Sequence, residues 1–173
     1  MNQRLKYLVA FMLILIAAFS RLIPHPLNFT PVAAIALFGG VYFDKKFAII
    51  VPISALIISD YFLGFYSEIF WVYGSFAIVG FLGMWLKNHK SVPMIAGTTL
   101  LGSILFFIIT NFGVWVSAHD TYAMNLNGLI ACYVAAIPFF RNSLAGDLFY
   151  VGVLFGVYEF AQKYFYQRNF VKA

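Results

Sequence analysis

Charge is what this sequence has least of. Only 10% of its 173 residues are Asp, Glu, Lys or Arg, eleven of them basic and six acidic. A soluble domain usually carries about 25%, and so few charges could not cover the surface of a soluble fold this small. Disorder is excluded on the same ground, since a chain stays unfolded through low hydrophobicity and high charge. A nucleic-acid module would need a broad basic face, which the sequence does not supply. Cysteine is nearly missing as well: Cys132 stands alone, so an intrachain disulfide scaffold is excluded. There is no phosphate-binding glycine loop, no metalloprotease histidine pair and no nucleophile-base arrangement. The expectation is therefore no enzymatic activity, no cofactor and no nucleic-acid partner.

What the chain does have is apolar surface. Hydrophobic residues make up 63% and aromatic residues 20%, with a mean hydropathy of +0.89. This composition predicts one polytopic, all-α membrane domain over residues 1–173, with the lipid bilayer as its main partner. Crossing about 30 Å of hydrocarbon takes roughly 20 apolar residues in a helix. The first candidate runs from Leu5 to Ile23. Its basic start and the small residues Ala17, Ala18 and Ser20 imitate a signal peptide, but Arg21 and Pro24 directly after the cut favour a retained helix. A proline-rich break, Pro24 to Pro31, follows, and Thr30 before Pro31 marks a helix start. The second helix, Val32 to Phe43, is short. A third runs from Phe47 to Leu63 and contains Pro52, a fourth from Ile69 to Leu86 and a fifth from Val92 to Ala118. Gly128 to Phe140 is apolar but only about 13 residues long, which reads as a re-entrant or interfacial segment. The last helix covers Leu144 to Phe165. The reading is six transmembrane helices plus one partial segment.

Six crossings place both termini on one side. Arg4, Lys6, Lys45, Lys46, Lys87, Lys90, Lys163, Arg168 and Lys172 then share that side, and only Arg21 and Arg141 of the 11 basic residues fall opposite. By the positive-inside rule the termini are cytoplasmic. The net charge of +5 thus reflects topology rather than an anionic partner.

Polar side chains at membrane depth are expensive and mark function by default. With this topology most of them fall on the outer side: Arg21, His25 and Asn28 in the first loop, Asp60 ending helix three, Asn111 and Trp115 in helix five, and Arg141, Asn142 and Asp147 leading into the last helix. These nine are the candidate substrate-binding residues, with charge pairing expected of Arg and Asp, amide recognition of Asn and ring stacking of Trp. Plainer readings stand beside several, Asp60 at its helix end reading equally as a solvated carboxylate. Trp71, Tyr73 and Trp115 suit an interfacial aromatic belt, Asp147 suits a helix-dipole partner, Arg141 suits an ion pair with Asp147 or Asp60, and Asn111 suits an interhelical hydrogen bond. Glu159 reads as an interfacial residue meeting Lys163 or a loop. His25 and His119 on the same side are a weak metal signal, so no metal ligand is assigned. Cys132 reads as a small buried hydrophobe. Gly152 and Gly156 form the one strict small-xxx-small pair.

The run from Arg21 to Gly40, together with Ser59-Asp60-Tyr61-Phe62-Leu63-Gly64, Thr110-Asn111-Phe112-Gly113-Val114-Trp115 and Ala135-Ala136-Ile137-Pro138-Phe139-Phe140-Arg141-Asn142, resembles an uncharacterised bacterial family of small integral membrane proteins. That family in turn resembles the substrate-binding S components of energy-coupling-factor vitamin transporters. The resemblance implies six helices, with a vitamin, related micronutrient or metal held toward the outer face by the helix ends and the first, third and fifth loops. It also implies a membrane coupling subunit with separate ATPases, against which the S component topples. Two features depart from the pattern. Ala10, Ala17 and Ala18 lack the four-residue spacing of small residues by which S components dock, which opens the alternative of a solitary transporter. Met1-Asn2-Gln3-Arg4 lacks the N-terminal histidine arrangement of the metal-transporting branch. The expected function is uptake of a small solute. The rivals are a non-transporting structural subunit, which predicts no internal cavity, and an intramembrane enzyme, which predicts Asp60 and Asp147 within mutual reach.

Overall fold

Apolar runs in lipid have no solvent to hydrogen-bond their backbone, so helix is the form that satisfies them segment by segment. The computed structural model describes residues 3–118 and 120–170, with side chains for 4–118 and 120–164. Its regular elements are helices: α1 Gln3–Leu22, α2 Val32–Tyr42, α3 Lys45–Leu63, α4 Ile69–Leu86, α5 Val92–Ser117 and α6 Leu126–Phe170. No strand occurs among the described residues. All but α2 are long and apolar enough to cross a membrane. Local chemistry sets several ends. Ser91 accepts a hydrogen bond from the Met94 N–H at the start of α5. Gly64, with φ of 96°, closes α3 by donating its N–H to the Asp60 carbonyl at 2.8 Å.

Two expectations are corrected. The segment Gly128–Phe140 is neither re-entrant nor separate, because it is the first part of one continuous helix, α6, with Pro138 inside it. The polar triplet Arg141-Asn142-Ser143 suggested a break, but it contains no glycine or proline to enforce one. The second correction concerns α2, which was counted as a crossing. Its 11 residues reach only about 16 Å, half of a bilayer core.

The Pro24–Pro31 segment supplies the other half. α6 runs antiparallel to α5: Tyr133 donates to the Ile108 carbonyl at 2.6 Å, Ser103 donates to Asp147 at 2.6 Å, and Lys90 meets Glu159 at 2.5 Å. Ser103 lies near the midpoint of α5, so Asp147 sits at mid-depth. Phe29 packs at that level against Gly146, Phe149 and Tyr150. The chain therefore leaves α1, descends in irregular form to the middle of the bundle and completes the crossing as α2. At its far end Tyr42 donates to Glu159, and the neighbouring Asp44 pairs with Lys6 at 3.5 Å. The first turn of α1, the ends of α2 and α6 and the α4–α5 loop thus share one end, the basic end. Arg21 and Asp60 lie at the other, the mouth end.

α2 is apolar on every side, as a central helix must be, and Val32 and Ala34 through Val41 are all buried. Its contact with α4 is backbone against backbone. A Cβ added to Gly40 would fall 2.6 Å from the Gly80 carbonyl oxygen and the Met84 nitrogen, and one on Gly83 would strike the Leu37 carbonyl. α1 turns Ala10, Ala17 and Ala18 inward and exposes Leu8, Phe11 and Phe19. Gly152 and Gly156, by contrast, face open space. Replacing Gly40 or Gly83 with alanine is expected to destabilise the fold by about 1–3 kcal/mol or more, the range for overpacking, whereas Gly152→Ala should leave stability within about 0.5–1 kcal/mol. Reversible denaturant titration of the purified variants in one detergent checks the contrast.

Candidate functional site

Between the descending segment and helices α3 to α6 lies a cavity of about 450 Å³. Leu27 and Leu63, both exposed, line it toward the mouth end. Val32, Ala33, Leu56, Val72, Phe76 and Phe106 form an apolar wall, with the Phe76 and Phe106 rings 4.8 Å apart. Arg21, His25, Asn28, Thr30, Tyr66, Ser143 and Asp147 supply the polar groups. Mostly apolar walls with a few converging polar side chains are what small-molecule sites look like, and this volume lies within their range.

The polar groups are held from behind. Arg21 reaches from the last turn of α1 to Asp60 on α3, with Nη2 2.7 Å from Oδ1, and its Nη1 donates to Ser59 at 2.6 Å. Asp60 is fully buried, and Tyr73 of α4 donates to its second oxygen at 2.8 Å. Three helices are thereby tied by one carboxylate. Tyr66, in the loop after α3, faces the same group. Burial, and then the Asp60 charge, push its hydroxyl up to about 12, with the Arg21 guanidinium acting the other way. Tyr66 is thus a neutral donor throughout the physiological range.

The descending segment is shaped by its own backbone. Asn28 has φ of 64°, the left-handed region that asparagine tolerates. It occupies the third position of a turn closed by the Phe29 N–H on the Pro26 carbonyl at 3.0 Å. The imidazole of His25 lies with Nδ1 2.7 Å from the Ile23 carbonyl. Where Thr30 was expected to cap α2, Pro31 holds the cap position and no side chain bonds the first turn. That turn opens on the cavity through Val32 and Ala33.

Of the nine sequence-predicted residues, Arg21, His25, Asn28 and Asp147 line the cavity. Asp60 lies directly behind Arg21. Asn111 occupies an adjoining crevice that shares Asn28, Phe106 and Ser143 with the cavity, and its amide donates to the Phe107 carbonyl within its own helix at 2.7 Å. Trp115 donates from Nε1 to the Ala123 carbonyl at 3.0 Å, bracing the α5–α6 loop. Arg141 is exposed and Asn142 half-buried, and neither lines the cavity or its crevices. The ion pair considered for Arg141 is not formed: Asp60 takes Arg21, and Asp147 takes the Ser103 hydroxyl. The carboxylates of Asp60 and Asp147 thus have separate partners.

Thr30, Ser143, Ser59, Ser103 and the Phe76–Phe106 pair were missed as functional residues. For Ser103 a signal existed, since it follows Thr98 and Thr99 in an otherwise apolar run and lies four residues from Thr99. Glu159 meets the loop residue Lys90, with Tyr42 as a second partner. Among the described residues no group of three or more His, Cys, Asp and Glu could hold a metal ion, and His119 lies outside the described residues. Cys132 is buried, its Sγ 3.5 Å from the Asn111 carbonyl.

Residues 1–169 match DUF6580, a family of unknown function, and the chain belongs to that family. No curated protein and no solved structure matches it.

Removing one partner of a buried ion pair leaves the other charge uncompensated. Arg21→Met or Asp60→Leu alone should therefore cost about 3–5 kcal/mol, and the double variant should be more stable than either single one. A double-mutant cycle of unfolding free energies measures this directly.

Proposed function

We propose that this member of DUF6580 is a membrane-embedded binding protein for uptake of a small solute, organised like the S components of energy-coupling-factor vitamin transporters and taking a vitamin-like or related micronutrient. The observation that carries the reading is a cavity of about 450 Å³ reached from the mouth end and bordered at mid-depth by an interrupted crossing. Irregular backbone is tolerated at that depth only where protein buries it or it lines a cavity. Broken helices of this kind form the solute sites of many transporters. A void of this size also weakens the packing around it, which argues against a purely structural subunit.

Eight of the 11 basic residues belong to described segments at the end opposite the mouth, and Lys172 lies outside the described residues. Under the positive-inside rule the mouth then faces outward from a bacterial inner membrane, with both termini cytoplasmic. Solutes would enter where Arg21 and His25 stand. The chain has no phosphate loop, so ATP-driven uptake would require a coupling subunit with ATPases of its own. The inward-turned alanines of α1 leave only bulky residues on its outer face, which favours a solitary carrier over S-component docking through α1.

Native mass spectrometry of the protein released gently from detergent should reveal a copurified small molecule. Val72→Trp, which fills the cavity from its apolar wall, should lower its occupancy at least about tenfold while Gly152→Ala leaves it intact. Equal occupancy in Val72→Trp would reject the cavity as the binding site.

A further inference from the structure

The cavity holds two charged groups whose situations differ. The Arg21 guanidinium is spent on Asp60 and Ser59, and this ion pair is internally neutral. Asp147 has no cation near enough to pair with it among the described residues. Only 7% of the residue is exposed, one oxygen takes the Ser103 hydroxyl at 2.6 Å, and the residue lines the cavity. Its other oxygen has no hydrogen-bond partner among the described residues. Asp147 also borders, with Ala33 and Ala34, a narrow crevice beneath the cavity, so it adjoins the first turn of α2. That turn carries the positive end of the helix dipole and no side-chain cap.

From these facts we infer that the cavity recognises a protonated amine, with Asp147 as its counter-charge and the Phe76–Phe106 wall as the seat of an apolar or aromatic body. The inference rests on the solute-binding reading above and specifies its chemistry. The uncapped helix end places partial positive charge beside the carboxylate but supplies no full counter-charge. An anion placed on the same turn would meet that carboxylate as a like charge in a medium of low dielectric constant. A neutral guest would leave the carboxylate without a counter-charge, either carried as a buried charge or discharged by taking up a proton, and in neither state would it favour that guest by charge pairing. An ammonium group supplies that counter-charge and a donor for the open oxygen. The nearby rings are suited to the rest of such a guest and can add a cation–π contribution. His25, Asn28, Thr30, Tyr66 and Ser143 remain for its further polar groups.

Three probes of similar size separate charge from shape: 2-phenylethylamine, 2-phenylethanol and phenylacetate, titrated into the full-length protein in nanodiscs by isothermal calorimetry. The expected result is binding of the amine at least about tenfold tighter than of the other two. The preference should collapse in Asp147→Asn, which keeps the shape and the bond to Ser103, and return in part in Asp147→Glu. The probe series on the unaltered chain needs no variant to fold, so it stands by itself. Preference for the alcohol or the carboxylate, or amine affinity unchanged in Asp147→Asn, overturns the inference; if Val72→Trp still abolishes that binding, the solute cavity survives it. No binding by any of the three overturns the inference as well. The solute reading falls with it only if native mass spectrometry also finds no copurified molecule.

Discussion

A helix of 11 residues cannot cross a bilayer, and much of this architecture follows from how the shortfall of α2 is covered. The Pro24–Pro31 segment must complete the crossing in an irregular form that satisfies little of its own backbone beyond the Phe29–Pro26 turn, at a depth where lipid offers no partners. It is accommodated because it lies against α6 at Gly146, where the missing side chain leaves room for Phe29. Its inner side then borders empty space instead of a packed helix. The cavity is in this sense the counterpart of the short helix.

The second organising constraint is the placement of charge. At the mouth end the buried Asp60 carboxylate of α3 gathers α1 through Arg21 and α4 through Tyr73, and Ser59 accepts a further bond from Arg21. At the basic end Glu159 gathers α2, α6 and the α4–α5 loop through Tyr42 and Lys90, whose ammonium also lies 5.0 Å from the Tyr42 ring centre. Each knot joins elements distant in sequence, and each stands near a membrane boundary where charge is least costly. Asp147 is the exception, deep in the bundle with a hydroxyl as partner.

Much of this could be read from the chain before its structure was known. The bounds of α4 at Ile69 and Leu86, the end of α3 at Leu63 and the start of α5 at Val92 coincide with those expected from the apolar runs. The gathering of Arg21, His25, Asn28 and Asp147 followed from counting crossings and asking which polar groups share a side. Pairing was harder to read: Arg141 and Arg21 are equally basic, and only the packing of α1 on α3 decides which meets Asp60. The merging of Gly128–Phe140 into α6 was missed because segment length was judged against a helix normal to the membrane, and α6 is longer than any perpendicular crossing requires. Small hydroxyls such as Ser59 and Ser103 were passed over because a serine disturbs an apolar run very little.

α6 carries Asp147 at the cavity and Glu159 at the opposite end on one uninterrupted helix, twelve residues apart, or about 18 Å along its axis. A hydrogen-bonded rod of that length is stiff to stretching. A displacement of Asp147 along the axis is delivered almost undiminished to Glu159, which must then slide past Lys90 and Tyr42. Whatever shifts α6 along its axis therefore moves the cavity carboxylate and the Lys90–Glu159–Tyr42 contact together, with α6 as the shaft.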